Sequence, residues 1–171
     1  MMISRRLLLA GAGSVAVLAG LRWLQGSNVE AATSFEIEKS DADWRRILTS
    51  AQYNVLRRQG TEQPYSSALN HEKRKGVFAC AGCDLPLFSS ETKFESGTGW
   101  PSFYRPLPDA VGTSEDRAFF MKRTEVHCRR CGGHLGHVFD DGPRPTGQRY
   151  CINSCALSFE GAPADPDGNE G

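Results

Sequence analysis

A chain of 171 residues is long enough for one compact domain with extensions at its ends. Lys+Arg and Asp+Glu both number 20, so the formal net charge is zero and nothing indicates an electrostatic nucleic-acid binder. A hydrophobic fraction of 39% with 18 Gly and 9 Pro points to a loop-rich, mainly β domain rather than a helical bundle.

Residues 1–31 read as an export signal rather than as part of the fold. Arg5 and Arg6 precede an apolar run, rich in Gly and Ala, that reaches Leu21 and is closed by Arg22. The run is short for a transmembrane helix, and Val29-Glu30-Ala31 offers small residues where a signal peptidase reads. The pattern is that of a twin-arginine signal, which implies a periplasmic or other extracytoplasmic location. An uncleaved N-terminal anchor is the other reading. Cleavage after Ala31 would remove three cations and one anion and leave a formal charge of −2. Twin-arginine export moves folded proteins, and two Cys-x-x-Cys pairs give this chain a reason to fold first. Metal then claims the thiolates before an oxidising compartment makes disulfides of them.

Residues 32–40 form an extended lead in which Phe35 and Ile37 alternate with Glu36 and Glu38, as in an edge strand. Ser40 caps a helix whose apolar positions are Trp44, Ile47, Leu48 and Ala51. Thr49-Ser50-Ala51-Gln52 is a capping box of its own, so two short helices meet near Thr49, and the second runs to Arg58 before Gly60. Residues 61–75 are polar and irregular, and the basic cluster His71, Lys73, Arg74, Lys75 reads as a solvated loop.

Val77-Phe78-Ala79-Cys80 reads as a strand entering a tight turn that returns through Cys83. The glycines and the proline of Gly97-Thr98-Gly99-Trp100-Pro101 exclude regular structure there, so Trp100 is either a core plug or an aromatic wall for a ligand. Residues 118–121 and 124–128 read as two strands or one bent strand. Residues 140–147 are a Pro/Gly turn, the run Gln148 to Phe159 reads as a strand unless Asn153-Ser154 breaks it into a turn, which that pair can do, and 162–171 is a disordered, acidic tail.

Cys80-x-x-Cys83 and Cys128-x-x-Cys131 have the spacing of two zinc knuckles, separated by 44 residues. A folded β domain must bring them together, and four thiolates suit one closed, structural Zn2+. Disulfides between the knuckles are the competing reading; within a knuckle they would be strained. His134 and His137 flank Gly136 and read as polar catalytic groups, with a second metal site and plain structural histidines as alternatives. Cys151 and Cys155 lie outside metal spacing. On a strand, Arg149, Cys151 and Asn153 share one face, and a guanidinium beside a thiol favours the nucleophilic thiolate. A small buried core cysteine is the bland alternative.

These stretches together resemble the B-type methionine sulfoxide reductases. The resemblance rests on Gly97-Thr98-Gly99-Trp100-Pro101-Ser102-Phe103, His134-x-x-His137-Val138-Phe139, Arg149-Tyr150-Cys151-Ile152-Asn153-Ser154 and the two knuckles, and it runs from Ser40 to Phe159. It implies two antiparallel β-sheets with N-terminal helices in a reductase domain spanning 32–161. It implies reduction of methionine-R-sulfoxide in peptides and proteins, one structural zinc, and a thiol reductant such as thioredoxin acting on a monomer. It implies that Cys151 is the nucleophile, Trp100 the wall for the substrate methyl, and Phe139 the apolar closure. His134, His137 and Asn153 would surround the sulfoxide oxygen, with Arg149 beside the thiol. Many relatives carry a resolving cysteine where this chain has Thr98. Either an outside thiol therefore reduces the Cys151 sulfenic acid, or Cys155 does, and an extended strand would hold Cys155 about 13 Å away. A zinc-stabilised β module that binds a partner without chemistry is the alternative from another class, but it has no need of this residue set.

Overall fold

The computed structural model describes residues 34–117 and 121–163. The expected signal at 1–31, part of the expected strand at 118–121 and the expected tail from 164 onward lie outside the described residues. Two helices open the domain, α1 (Asp41–Ile47) and α2 (Ser50–Arg58). Ser40 Oγ accepts from the backbone of Asp43, and Thr49 and Gln52 form the reciprocal capping box. Leu48 between them is extended, so the apolar stripe breaks at the junction: Trp44 and Leu48 are buried, but Ile47 is 56% exposed. The left-handed residue that closes α2 is Gln59, and Gly60 N–H then bonds Asn54 O. Among the described residues no helix is long and apolar enough to cross a membrane.

Residues 35–37 do not form an edge strand. Ile37 N–H makes a single backbone bond to Arg130 O, and the Phe35 ring packs edge-on against His127 over the achiral Gly132. The lead is a strap across the second knuckle.

Among the described residues nine strands come next: β1 (Gly76–Cys80), β2 (Pro86–Ser89), β3 (Lys93–Phe94), β4 (Ser102–Phe103), β5 (Val111–Asp116), β6 (Arg123–Cys128), β7 (His134–Phe139), β8 (Arg149–Ile152) and β9 (Leu157–Gly161). They make two antiparallel sheets, β2-β1-β9 and β3-β4-β8-β7-β6-β5. The mainly β, two-sheet architecture expected from the sequence is therefore present. Fully buried aromatics join the sheets: Phe88 stacks on Phe103 with centroids 4.4 Å apart, and Phe78 meets Phe103 edge-on at 5.0 Å. Leu87, Val126, Leu135 and Ile152 complete this core.

The expectation of one strand from Gln148 to Phe159 is corrected. β8 ends at Ile152, a 3₁₀ turn covers Ser154–Ala156, and β9 leaves for the other sheet. Local hydrogen bonding drives the break. Asn153 gives both its backbone N–H and its side-chain amide to Leu135 O, at 2.8 and 3.0 Å. The free N–H groups of Ser154 and Cys155 are then taken by the two carboxylate oxygens of Glu62. Arg149 and Cys151 still share a face, while Asn153 lies just beyond the strand.

A bulge in β7 sets the direction of two histidine side chains. Val126 pairs with Gly136 but His127 pairs with His134, so Leu135 is an extra residue on β7. Leu135 enters the core with no exposed surface. The inserted residue reverses the alternation, bringing His134 and His137, three apart in sequence, onto one face with ring centroids 5.4 Å apart.

Candidate active site

Cys151 sits in the middle of β8, flanked by β4 and β7. In register it faces Ser102 on one side and His137 on the other. Its thiol opens into a cavity of about 140 Å3 lined by Thr61, Trp100, Arg123, Gly136, His137, Phe139, Cys151 and Asn153. Thr98 Oγ1 stands 3.9 Å from the Cys151 sulfur. Burial pushes the thiol above the usual cysteine range, and the Thr98 hydroxyl and then the charge of Arg149 act against it. Burial in this pocket thus favours the neutral thiol over the thiolate.

The polar flank is a pair of histidines, each tied to a carboxylate. His134 Nδ1 lies 2.7 Å from Glu125 Oε1, and His137 Nε2 lies 2.8 Å from Asp116 Oδ2. A carboxylate only accepts, so these nitrogens carry the hydrogens, which leaves His134 Nε2 and His137 Nδ1 as the free ring nitrogens. Burial holds His137 below the usual histidine range, more strongly than the Asp116 bond raises it. The His134 bond holds the Glu125 carboxyl down to about 2. Arg123 donates to the same Asp116 oxygen as His137, at 2.7 Å. A second hollow of about 220 Å3 adjoins the first through Thr61, Arg123 and His137, and His134 lies there with Glu125.

The apolar flank is Trp100, which lines the cavity from a loop held in place by its neighbours. It stays partly exposed, and its indole N–H donates to Glu62 O at 3.2 Å. The loop carrying it is pinned by residues 65 and 70: Tyr65 N–H and Asn70 Nδ2 both donate to Gly99 O, each at 2.8 Å. Side chains added at Gly99 would strike Pro64 and Tyr65. The opposite rim is Phe139, with the Arg149 guanidinium 4.6 Å above its ring and clamped by two 2.8 Å bonds to Asp141. The Arg149 charge is therefore shared with a carboxylate. Asn153 lines the cavity, but its amide is engaged: Nδ2 binds Leu135 O, and Oδ1 accepts from Glu62 N–H at 3.0 Å. Cys155 lies elsewhere, its sulfur 3.9 Å from Ala51 O, with burial and the Glu62 carboxylate pushing its thiol up to about 12.

Glu62 was not legible as a site residue. It braces the turn after β8, Asn153 and Trp100 at once, yet it lies in a polar stretch with no motif. Asp116, Arg123 and Glu125 were missed for the same reason, as ordinary charges on two exposed strands.

The two knuckles meet away from this cavity. The ligating atoms of Cys80, Cys83, Cys128 and Cys131 all lie within 4.8 Å of one another. Cys80 and Cys131 sulfurs are 3.8 Å apart, and Cys83 and Cys128 sulfurs 3.5 Å. Tetrahedral metal–sulfur bonds of about 2.3 Å need edges of about 3.8 Å, whereas a disulfide needs about 2.05 Å. The quartet fits a metal ion and not a pair of disulfides. Both knuckles are built alike: the residue after the second cysteine, Asp84 or Gly132, is left-handed and bonds back to the first cysteine's carbonyl. A larger hollow of about 460 Å3 beside the helices is lined by Arg45, Leu48, Ser50, Tyr53, Asn54 and Arg58 and offers no cysteine or histidine.

A thiol facing an imidazole across a cavity walled by an indole, beside a four-cysteine metal site, is the arrangement the sequence resemblance implied. The SelR domain model matches residues 48–161. The chain belongs to the B-type methionine sulfoxide reductases. It is 62% identical over 125 residues to a peptide methionine sulfoxide reductase MsrB of Methanosarcina mazei, a match covering 72% of this chain and 89% of that protein. An MsrB of Leptospira interrogans is 55% identical over 128 residues, 74% of this chain and 98% of its own length. One from Agrobacterium fabrum is 54% identical over 129 residues, 75% and 96% respectively. The domain match spans both the cavity and the cysteine quartet, so the two sites lie inside the stretch of chain shared with the family.

Proposed function

We propose that this enzyme reduces methionine-R-sulfoxide in peptides and proteins by direct attack of Cys151 on the sulfoxide sulfur. The substrate methyl packs on Trp100, with Phe139 closing the apolar side. The sulfoxide oxygen points toward the histidine flank, where the hydrogen-free ring nitrogen of His137, or of His134, takes up the thiol proton and, as the imidazolium, donates it to the oxygen, which makes sulfur electrophilic. The thiol proton ends on the transferred oxygen, so Cys–SH and R–S(=O)–CH3 become Cys–SOH and R–S–CH3 with atoms and electrons balanced. The raised Cys151 pKa suits this accounting: the proton the oxygen needs is the one the sulfur must lose. Asn153 holds the end of β8, and Arg149 and Asp141 set the field beside the thiol.

The observation that carries this reading is the register pair Cys151–His137 opening into a cavity that also contains Trp100. A module that merely binds a partner gains nothing from burying a thiol there.

Regeneration falls to an outside thiol of the thioredoxin kind. Attack of a thiol on the sulfenic acid releases water and leaves a mixed disulfide, which a second thiol clears. Cys155 is disfavoured as the resolving group by its contacts with Ala51 and Glu62 and by its high pKa. The metal is Zn2+, held by Cys80, Cys83, Cys128 and Cys131; with four protein ligands it has no open position and its work is structural. Residues 1–31 direct twin-arginine export, placing a monomeric enzyme outside the cytoplasm.

The test is turnover of separate R and S sulfoxide epimers with a thioredoxin system. The R epimer alone should be reduced, and Cys151→Ser should abolish turnover with metal content and melting temperature unchanged. Activity within tenfold of wild type in that variant sinks the assignment.

A further inference from the structure

Behind the Cys151 thiol, on the side away from the histidines, three hydroxyls stand in line. Ser102 is fully buried on β4 and is the register partner of Cys151. Its Oγ donates to Ser96 Oγ at 2.7 Å. Ser96 Oγ is 2.8 Å from Thr98 Oγ1, which in turn is 3.9 Å from the Cys151 sulfur. A hydroxyl has a single hydrogen. When Ser102 places it on Ser96 rather than on Trp100 O, its other acceptor at 3.2 Å, that of Ser96 can go to Thr98 and that of Thr98 to sulfur, which directs the whole chain at Cys151.

We propose that Thr98 is a catalytic residue, the terminal donor of a Ser102–Ser96–Thr98 hydroxyl chain that stabilises negative charge on the Cys151 sulfur as the thiol is consumed. The proposal rests on Cys151 being the nucleophile. The donor is preorganised, because its loop is fixed from outside: Tyr65 hydroxyl donates to Gly97 O at 2.6 Å, and Tyr65 N–H and Asn70 hold Gly99 O. Charge accumulates on sulfur only during attack, and a contact that is long at rest shortens then. Hydrogen bonds that strengthen in the transition state are the ones that accelerate a reaction.

The other groups facing Cys151 are accounted for separately. Arg149 lies two residues back on β8 and is clamped to Asp141. His137 faces from β7, and Arg123 lines the cavity from β6. From the β4 side and the loop before it come the hydroxyls of Ser102 and Thr98. Thr98 is therefore the neighbour that offers a neutral donor to the thiol without competing for the sulfoxide oxygen.

The experiment uses the metal-loaded protein with Thr98→Val, which keeps the branched shape and deletes the hydroxyl, and Thr98→Ser, which restores it. Alkylation of Cys151 by iodoacetamide is followed across pH by mass spectrometry of its peptide, and methionine formation is followed in a single turnover without reductant. Thr98→Val should raise the alkylation midpoint by about 0.5–1 pH unit and slow the single turnover about three- to tenfold, the size of one ordinary hydrogen bond, as befits a long contact to sulfur. Thr98→Ser should stay within about twofold of wild type, with melting temperature and metal content equal throughout. A wild-type midpoint and rate in Thr98→Val overturns the proposal, as does a Thr98→Ser defect as large as that of Thr98→Val. If Thr98→Val does not fold, Ser96→Ala, which cuts the chain one hydroxyl back, must shift the midpoint in the same direction by a smaller amount; no shift overturns the proposal. Cys151→Ser serves as control. If it is inactive while Thr98→Val is normal, only the role of Thr98 fails; if it is active, the nucleophile assignment fails.

Discussion

Gly136→Ala tests the geometry that sets Cys151, the proposed nucleophile, beside His137. Gly136 is the β7 residue beside His137, and it faces Ile152 across the ladder to β8. A Cβ built there would lie 2.1 Å from Cys151 O and 3.1 Å from both Cys151 C and Ile152 Cα. Ordinary carbon–oxygen contact is about 3.2 Å or more, so β8 must retreat by about 1 Å. The obstacle is backbone, and no rotamer change relieves it. The retreat stretches two ladder hydrogen bonds, worth about 1 kcal/mol each, and adds the usual overpacking cost, for about 2–4 kcal/mol in total. For a domain of this size that is a fall in Tm on the order of 10 °C. The same 1 Å separates Cys151 from His137, and a misplacement of that size lowers kcat/KM by about 100-fold. The assay is a thermal melt paired with steady-state reduction of a methionine-R-sulfoxide peptide at a temperature where the variant remains folded. Gly147→Ala is the control, since that glycine is left-handed but has nothing within 4 Å of an added Cβ; it should lose about 1 kcal/mol and keep its activity. Wild-type activity and Tm in Gly136→Ala would refute the claim that the β7–β8 contact positions the nucleophile.

Trp100→Ala should raise KM and lower kcat together, cutting kcat/KM about five- to hundredfold through loss of about 1–3 kcal/mol of methyl contact; unchanged constants on a methionine-sulfoxide peptide would make Trp100 a packing residue only. Cys128→Ser should release the metal and unfold the domain, because binding free energy at a structural site is folding free energy; an unchanged Tm after metal loss, read by circular dichroism and metal analysis, would make the quartet dispensable. Cys155→Ser should leave turnover with an external thiol intact, whereas loss of the thioredoxin-coupled reaction together with a trapped 151–155 disulfide peptide by mass spectrometry would make Cys155 the resolving group. Glu125 has its folded carboxyl near 2 against an ordinary 4.5. A depressed carboxyl contributes stability above the unfolded value and loses it as pH falls from 4.5 toward 2. Discounted for solvent screening, that is about 1–2 kcal/mol. Glu125→Gln should therefore be destabilised by that amount near neutral pH, with the penalty shrinking below 4.5 in urea melts; a penalty that does not change with pH would assign it to packing instead of charge.

The range of each interaction decided whether the sequence disclosed it. Ser40, Thr49 and Gln52 act on residues three positions away, so both helix starts were readable from capping chemistry alone. The two knuckles were equally readable, because each closes within five residues and the tetrahedral demand of a metal supplies the long-range link. The β8 break was readable only as a turn that Asn153-Ser154 could make, since the residue that takes the freed N–H groups of Ser154 and Cys155 is Glu62, more than 90 positions earlier. Arg149, Cys151 and Asn153 alternate in sequence, and alternation alone continues a strand that a distant carboxylate ends. The histidine pair shows the same limit more sharply. A spacing of three suits a helix or a turn, and the glycines around it argued against a helix, so sequence offered no element on which both rings share a face. The bulge at Leu135 supplies one, and it exists because Leu135 fills the core while its carbonyl is taken twice by Asn153. Asn153, the residue just after β8, thus also holds the bulge that aligns the histidines, so β7 and β8 are tied together there by one side chain. That coupling accounts for an asparagine, with both a donor and an acceptor on its amide, at the first position after β8: an aspartate there would face Leu135 O with a like charge, and an alanine would leave that carbonyl the backbone N–H alone and deprive Glu62 N–H of its acceptor.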